Sequence, residues 1–280
     1  MGVSKESIVY QDNALVRAYY NLLPMQHKIV LAAMTQIEDV KGPLDSRKLY
    51  SYTVSDFSSA FDLKNNGDLY RRLKQSVLAL KHKRVQIIKY VNGHKRVTET
   101  GWIQDASYID TQGVIEFRFT EAIIPYLSNL KEYTRFRLGD FAGLSSQYAI
   151  RLLELVLSWG HTGKYIETLD ELRQKFCIVD KYPQLHNLRN RVLNPALEQI
   201  NEKTPYTIKA KEIKSGRRVT GFVFNLKAPE VHRKPTKADI DKALKKDGGK
   251  IGESYEAQRV RVLSELMDEY KKNTAMRSEK

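Results

Sequence analysis

Apolar residues return at helical spacing in two stretches of this chain, and each stretch is followed by a switch to strand-like alternation. In the clearer stretch Leu185, Leu188, Val192, Ala196, Leu197 and Ile200 form one stripe, as expected of a helix packing one face on a core. Asn187, Asn190, Arg191 and Asn194 fall on or beside the opposite face. After Thr204-Pro205 the period changes: Tyr206, Ile208 and Ala210, then Val219, Phe222 and Phe224, predict two paired strands around a turn at Lys214-Ser215-Gly216-Arg217-Arg218. The other stretch, Asp68 to Arg84, carries a stripe of Leu69, Leu73, Val77 and Leu80, with Arg71, Gln75 and His82 on the far side. Strand-like runs follow at Val85–Val91, Val97–Ala106 and Val114–Phe119. Asn92-Gly93 is a strong hairpin signal, and it puts His94, Lys95 and Arg96 at the tip.

The remaining pattern places these units in two similar halves. Residues 1 to about 10 read as loose chain. Asp12 or Asn13 caps a short helix, and Pro24 opens a longer one through Ile37. Tyr50–Val54 alternates as a strand, and Ser55 or Asp56 caps a small helix ending near Leu63. A linking helix, Glu121–Leu130, joins the halves. A strand at Thr134–Leu138, an apolar helix at Ser145–Trp159, a strand at Lys164–Ile166 and a helix from Thr168 or Asp170 to Phe176 then lead into a helix over 183–202. Both halves thus read long helix, short strand, short helix, basic helix, hairpin. The predicted class is α+β, two tandem winged-helix domains at 8–130 and 131–228. A basic tail at 229–280 follows, with a mobile linker at 232–250 and a further helix at 254–272.

Composition narrows the partner. The 280 residues carry a formal net charge of +14, which favours a polyanion, nucleic acid first and an anionic membrane surface second. No apolar run approaches the roughly 20 residues that cross a bilayer, and the N-terminal stretch lacks a signal peptide's apolar core. The expected location is the cytoplasm. A single cysteine, Cys177, excludes an intrachain disulfide and a cysteine-rich zinc site, and its apolar neighbours predict a buried thiol.

Catalytic equipment is sparse. Gly160-His-Thr-Gly-Lys164 is too short for a phosphate-binding loop. None of the six histidines shows metal-ligand spacing. His186-Asn-Leu-Arg189 matches the H-x-x-R box of tyrosine recombinases, with Tyr206 as the next tyrosine, yet no surrounding box supports it. No catalytic residue, metal or cofactor is therefore expected. What remains is basic: Arg and Asn on a helix read guanine and adenine edges, while Lys and Arg at a wing tip neutralise phosphate. Neither basic helix shows a compensating set of acidic neighbours. Arg189 borders the apolar stripe and is assigned a structural or phosphate-edge role.

Three segments carry a family resemblance: L-P-M-Q-H-K-I-V-L-A-A-M at 23–34, D-L-Y-R-R-L-K-Q-S-V at 68–77, and R-N-R-V-L-N-P-A-L-E-Q-I-N with G-R-R-V-T-G-F-V-F in the second half. Over about residues 8–228 the chain resembles the replication initiators of iteron-containing plasmids. The resemblance implies two winged-helix domains on double-stranded origin DNA with repeated sites, and the helix over 183–202 as the main major-groove reader. It further implies a homodimer, formed through the N-terminal domain, that represses its own gene, and recruitment of the host initiator and replicative helicase. The expected DNA contacts are Asn187, Asn190, Arg191 and Asn194 at base edges with Lys214, Arg217 and Arg218 on phosphate. Arg71, Lys74, Gln75, His82, Lys95 and Arg96 do the corresponding work in the first half. A winged-helix transcriptional regulator without an origin is the alternative, and a DNA-processing enzyme with a tyrosine nucleophile is the third reading.

Overall fold

The start of the chain is tied to its middle. Residues 8–12 pair antiparallel with residues 133–137, and Val3 is buried, so the segment expected to be loose is part of the core. The computed structural model describes residues 3–37, 42, 44–110, 112–128, 130–227, 237–249 and 254–278. They fall into two compact units, 1–228 and 229–280.

In the first half, β1 (Ile8–Asp12) runs into α1 (Asn13–Val16), whose first turn is capped by Asp12 at 2.7 Å from the Ala14 amide. β2 (Tyr19–Tyr20) and α2 (Pro24–Met34) follow, Pro24 supplying a first-turn residue whose missing N–H costs nothing there. β3 (Tyr50–Thr53) leads to α3 (Val54–Ala60), capped by Thr53 and not by Ser55 or Asp56. α4 (Gly67–Leu80) is capped by Asn66 and ends four residues before the predicted limit. The strands are β4 (Arg84–Val91), β5 (His94–Gly101), β6 (Ile103–Ile109) and β7 (Val114–Phe119).

Two expectations fail in this half for identifiable reasons. The single run at Val97–Ala106 is two strands in different sheets, since β5 lies in the order β2-β4-β5 and β6 in β3-β7-β6. The chain changes sheet at Trp102, which is fully buried and meets the Tyr20 ring edge-on at 5.0 Å. Alternation in sequence cannot show such a handover, because both strands keep the same period. The linking helix at Glu121–Leu130 is only a 3-10 turn at Ile124–Tyr126. Pro125 lies within it, and proline withholds a backbone donor that a longer helix needs.

The second half comprises β8 (Tyr133–Arg137), α5 (Gln147–Leu157), β9 (Lys164–Thr168), α6 (Leu169–Lys175), α7 (Leu185–Leu188), α8 (Asn194–Lys203), β10 (Thr207–Ser215) and β11 (Arg218–Lys227). Its sheet order is β10-β11-β9, all antiparallel. One continuous apolar cluster runs through both halves, from Val9 through Leu73 to Phe224.

A charged cluster crosses between the halves inside that core. Glu154 on α5 is fully buried, and its carboxylate lies 2.9 Å from His27 Nε2 on α2. It also accepts from the Tyr20 hydroxyl at 3.0 Å and from Arg151 at 2.8 Å. Arg151 reaches further into the first half, donating to the carbonyls of Val16 and Ala18 at 3.1 and 2.9 Å. Burial works against the Glu154 carboxylate, but His27 and Arg151 overcome it and hold its pKa below the ordinary value. Lys28, next along α2, donates to the Ala142 carbonyl at 2.7 Å, and burial pushes its pKa down to about 8.

The second unit was expected to be linker over 232–250. Of that stretch, Lys237–Asp247 forms α9, while 232–236 lie outside the described residues. α10 spans Tyr255–Ser278. Asp247 binds Arg261 at 2.6 Å and Gln258 at 3.1 Å, and Leu244 and Val262 are buried. No helix among the described residues is long and apolar enough to cross a membrane.

Glu154→Gln leaves Arg151 buried without its carboxylate and is expected to cost about 3–5 kcal/mol, seen as a lower urea midpoint; a loss below about 1 kcal/mol would show the cluster to be dispensable. Lys28 shows the same sign of linkage as a paired acid, because its folded-state pKa also lies below the unfolded one. Its folded-state value of about 8 lies below the unfolded 10.5, so between these values the unfolded chain binds more protons and stability rises with pH. The rise is worth up to about 3 kcal/mol. Lys28→Met should abolish it in urea titrations across that window.

Candidate nucleic-acid interface

The first basic helix packs as its pattern requires. Leu69, Leu73, Val77 and Leu80 are buried, and Arg71, Arg72, Gln75 and Leu78 are exposed. Its charges, however, are locally matched, against expectation. Asp68 in the first turn pairs with both Arg71, at 2.5 Å, and Arg72, at 3.1 Å. Lys74 lies 3.2 Å from Asp110 and 3.7 Å from the Tyr108 ring centre. Hydrogen bonds from Tyr70 and Lys74 hold the Asp110 carboxyl below its usual range. Because α4 stops at Leu80, His82 stands in the turn after the helix, where its amide donates to the Ala79 carbonyl.

The first wing is β4 and β5, paired from Arg84↔Gly101 out to Val91↔His94. Asn92 and Gly93 take φ of 51° and 79°, the left-handed pair that a two-residue hairpin turn demands. Lys95 and Arg96 are exposed, with no side-chain ion pair among the described residues. Tyr90, 74% exposed, stands beside them.

The second basic helix is continuous from Leu185 to Lys203 but not regular. Between α7 and α8 the residues Arg189–Leu193 form a π-turn, in which the Asn194 amide donates to the Arg189 carbonyl five residues back. Pro195 is the cause that the sequence offers. In a regular α-helix its ring would collide with the Arg191 carbonyl, and its missing N–H would leave that carbonyl unpaired; a widened turn relieves the collision. Val192 and Leu193, both in the widened turn, are buried.

On the outer side, His186, Asn190 and Asn194 form a ladder. The Asn190 amide lies 3.1 Å from His186 Nε2, and Asn194 donates to the Asn190 carbonyl oxygen at 3.5 Å. Asn187, half-buried, donates to Gln184 at 3.3 Å. Arg191 is exposed and has no side-chain partner among the described residues. Arg189 is ion-paired to Glu212 on β10, which also lies 3.3 Å from Lys214. This second helix, too, has an acidic neighbour that strand alternation in the sequence did not reveal. At the wing tip Gly216 takes φ 59°, and Arg217 and Arg218 are exposed.

Catalytic alternatives find little geometry. The Tyr206 hydroxyl donates to Asp140 at 2.8 Å, Arg189 serves Glu212 and His186 serves Asn190, so the recombinase-like residues are committed to separate partners. Among the described residues no group of three or more His, Cys, Asp or Glu side chains could hold a metal. Cys177, expected to be buried, is half-buried, and burial raises its thiol pKa.

A helix with a polar, cation-bearing outer face, followed by a hairpin with a cationic tip, occurs twice in one core. That defines a tandem winged-helix protein built to meet a polyanion. The chain matches the family model "Initiator Replication protein, WH1" over residues 8–157 and "Initiator Rep protein, WH2" over 168–226, and it belongs to this family of replication initiators. Among curated relatives from Escherichia coli, it is 24% identical to the PI protein over 266 residues, covering 82% of this chain and 86% of that one. It is 22% identical to a replication initiation protein over 228 residues, covering 79% and 70%. Its fold is that of a Pi initiator protein crystallised with iteron DNA, at TM-score 0.67, 21% identity and coverage of 81% of this chain and 100% of the other.

Pro195 generates a prediction of its own. Pro195→Ala permits a regular helix and turns the residues before the π-turn relative to those after it. The expected result is a loss of about 1–3 kcal/mol on a cognate duplex, the worth of one bidentate base contact, with binding to random duplex unchanged. Anisotropy titrations on both duplexes check this, and equal losses on the two would refute it.

Proposed function

We propose that this initiator binds repeated origin sequences, iterons, in duplex DNA through both winged-helix domains, 8–130 and 131–228. The observation that carries the reading is the pairing of two helix-and-wing units in one continuous core. Within the second domain, Arg191 and the Asn190–Asn194 ladder read base edges in the major groove, with Asn187 beside them, while Lys214, Arg217 and Arg218 lie on phosphate. That Arg191 has no acidic partner among the described residues supports giving it the leading role. In the first domain, Lys95 and Arg96 at the wing tip meet phosphate. Arg71, Lys74 and Gln75 follow along α4, with His82 in the turn beyond it, and Arg71 and Lys74 exchange Asp68 and Asp110 for phosphate on binding. The work is binding and remodelling in the cytoplasm, not bond chemistry. Self-association for repression and recruitment of the host initiator and helicase are the further steps that the family resemblance adds.

Arg191→Ala should cost about 1–3 kcal/mol on the cognate repeat and relax its preference at one base pair. Arg217→Ala with Arg218→Ala should instead weaken all duplexes alike and lower the salt slope by about two. Anisotropy titrations against single-base variants of the repeat at several salt concentrations separate the two. An unchanged sequence preference for Arg191→Ala would overturn its assignment.

A further inference from the structure

The sheet of the second half has two unlike faces. Tyr165, Ile208, Phe222 and Phe224 are buried on the side that packs against the helices. Alternation sends the intervening residues to the other side. The register sets Lys209, Asn225 and Lys164 in one row and Lys211, Val223 and Ile166 in the next, with Lys227 at the adjoining end of β11. All four lysines are exposed, and none has a side-chain hydrogen bond or ion pair among the described residues. No Asp or Glu stands on this face of the three strands. Glu167 and Glu212 alternate to the inner side, where they pair with Lys175 and Arg189.

Such a face is costly in isolation, since like charges on neighbouring strand positions repel. At its centre Ile166 is 61% exposed beside Val223. The first wing offers a contrast: the corresponding outer side of β4 and β5 carries Gln86 hydrogen-bonded to Glu99 at 2.6 Å, so its charge is mixed.

We propose that this lysine-ringed sheet face docks an acidic protein segment that places an apolar side chain on Ile166 and Val223. Charge complementarity selects an anionic partner. The apolar centre selects protein over a second duplex, because a charged phosphate backbone offers Ile166 far less apolar surface to bury than a leucine-sized side chain does. The sheet itself separates this face from the helix bearing Asn190 and Arg191, so the segment and a duplex read by that helix bind together.

The test uses the full chain and two labelled acidic peptides of equal length and charge, one with leucines and one with serines in their place. The leucine peptide should bind about tenfold more tightly, the equivalent of 1.4 kcal/mol. Ile166→Ser should erase that preference, and Lys209→Glu with Lys211→Glu should weaken both peptides. Random duplex should leave the peptide bound. Equal binding of the two peptides, or displacement of the leucine peptide by duplex, overturns the proposal; displacement would make the face a DNA contact. Because the peptide arms need no DNA, their failure is distinct from failure of the iteron reading.

Discussion

The relative placing of the two readers depends on one buried carboxylate. Glu154 is surrounded by His27, Tyr20 and Arg151, and Arg151 carries the network on to the backbone of Val16 and Ala18. An ion in the core loses solvation worth several kcal/mol, so this arrangement is a weak source of net stability. What it supplies is geometry. Two apolar faces slide over one another at little cost, whereas a carboxylate with three directed partners has one acceptable position. The angle between α2 and α5 is thereby fixed, and with it the separation of the two basic helices.

A net charge of +14 suggests a surface that is uniformly positive, and the local arrangement is different. Asp68, Asp110 and Glu212 sit among the cations of both reading helices. Exposed pairs of this kind contribute little to stability. Under the proposed reading their effect is on recognition, because a phosphate would have to displace a carboxylate to reach Arg71 or Lys74, which would lower the affinity for any sequence. Arg191, Lys95, Arg96, Arg217 and Arg218 carry no such penalty. On the proposed reading, partial neutralisation would concentrate the binding free energy on these few residues and reduce the non-specific background that a strongly basic protein otherwise shows.

Much of this was legible in the sequence, and the failures share a cause. The stripe Leu69, Leu73, Val77, Leu80, the Asn92-Gly93 turn and the Gly216 turn are local features, and each is found where its spacing predicts. The handover at Trp102, the pairing of residues 8–12 with 133–137 and the Glu154 cluster join residues far apart in the chain. Periodicity carries no information about partners at that distance. Pro125 and Pro195 are a different matter, since both stand in the open within predicted helices. Apolar residues keep helical spacing on both sides of each, and that spacing hides the effect of the missing backbone donors. In the first case the helix is reduced to a turn, and in the second it survives by widening.

That survival bears on the base-reading role proposed for the second helix. Asn side chains have both donor and acceptor groups, and free in water each amide is solvated and mobile. In the ladder His186, Asn190 and Asn194 are already joined to one another, so part of the ordering entropy is met before a ligand arrives. The bonds are long, at 3.1 and 3.5 Å, and weak bonds between polar groups are readily exchanged for stronger ones to a base edge. A regular helix would keep the spacing of four residues but would change the direction of His186 and Asn190 relative to Asn194. The π-turn thus does two things at once: it accommodates a proline and it sets the line along which the amides face outward.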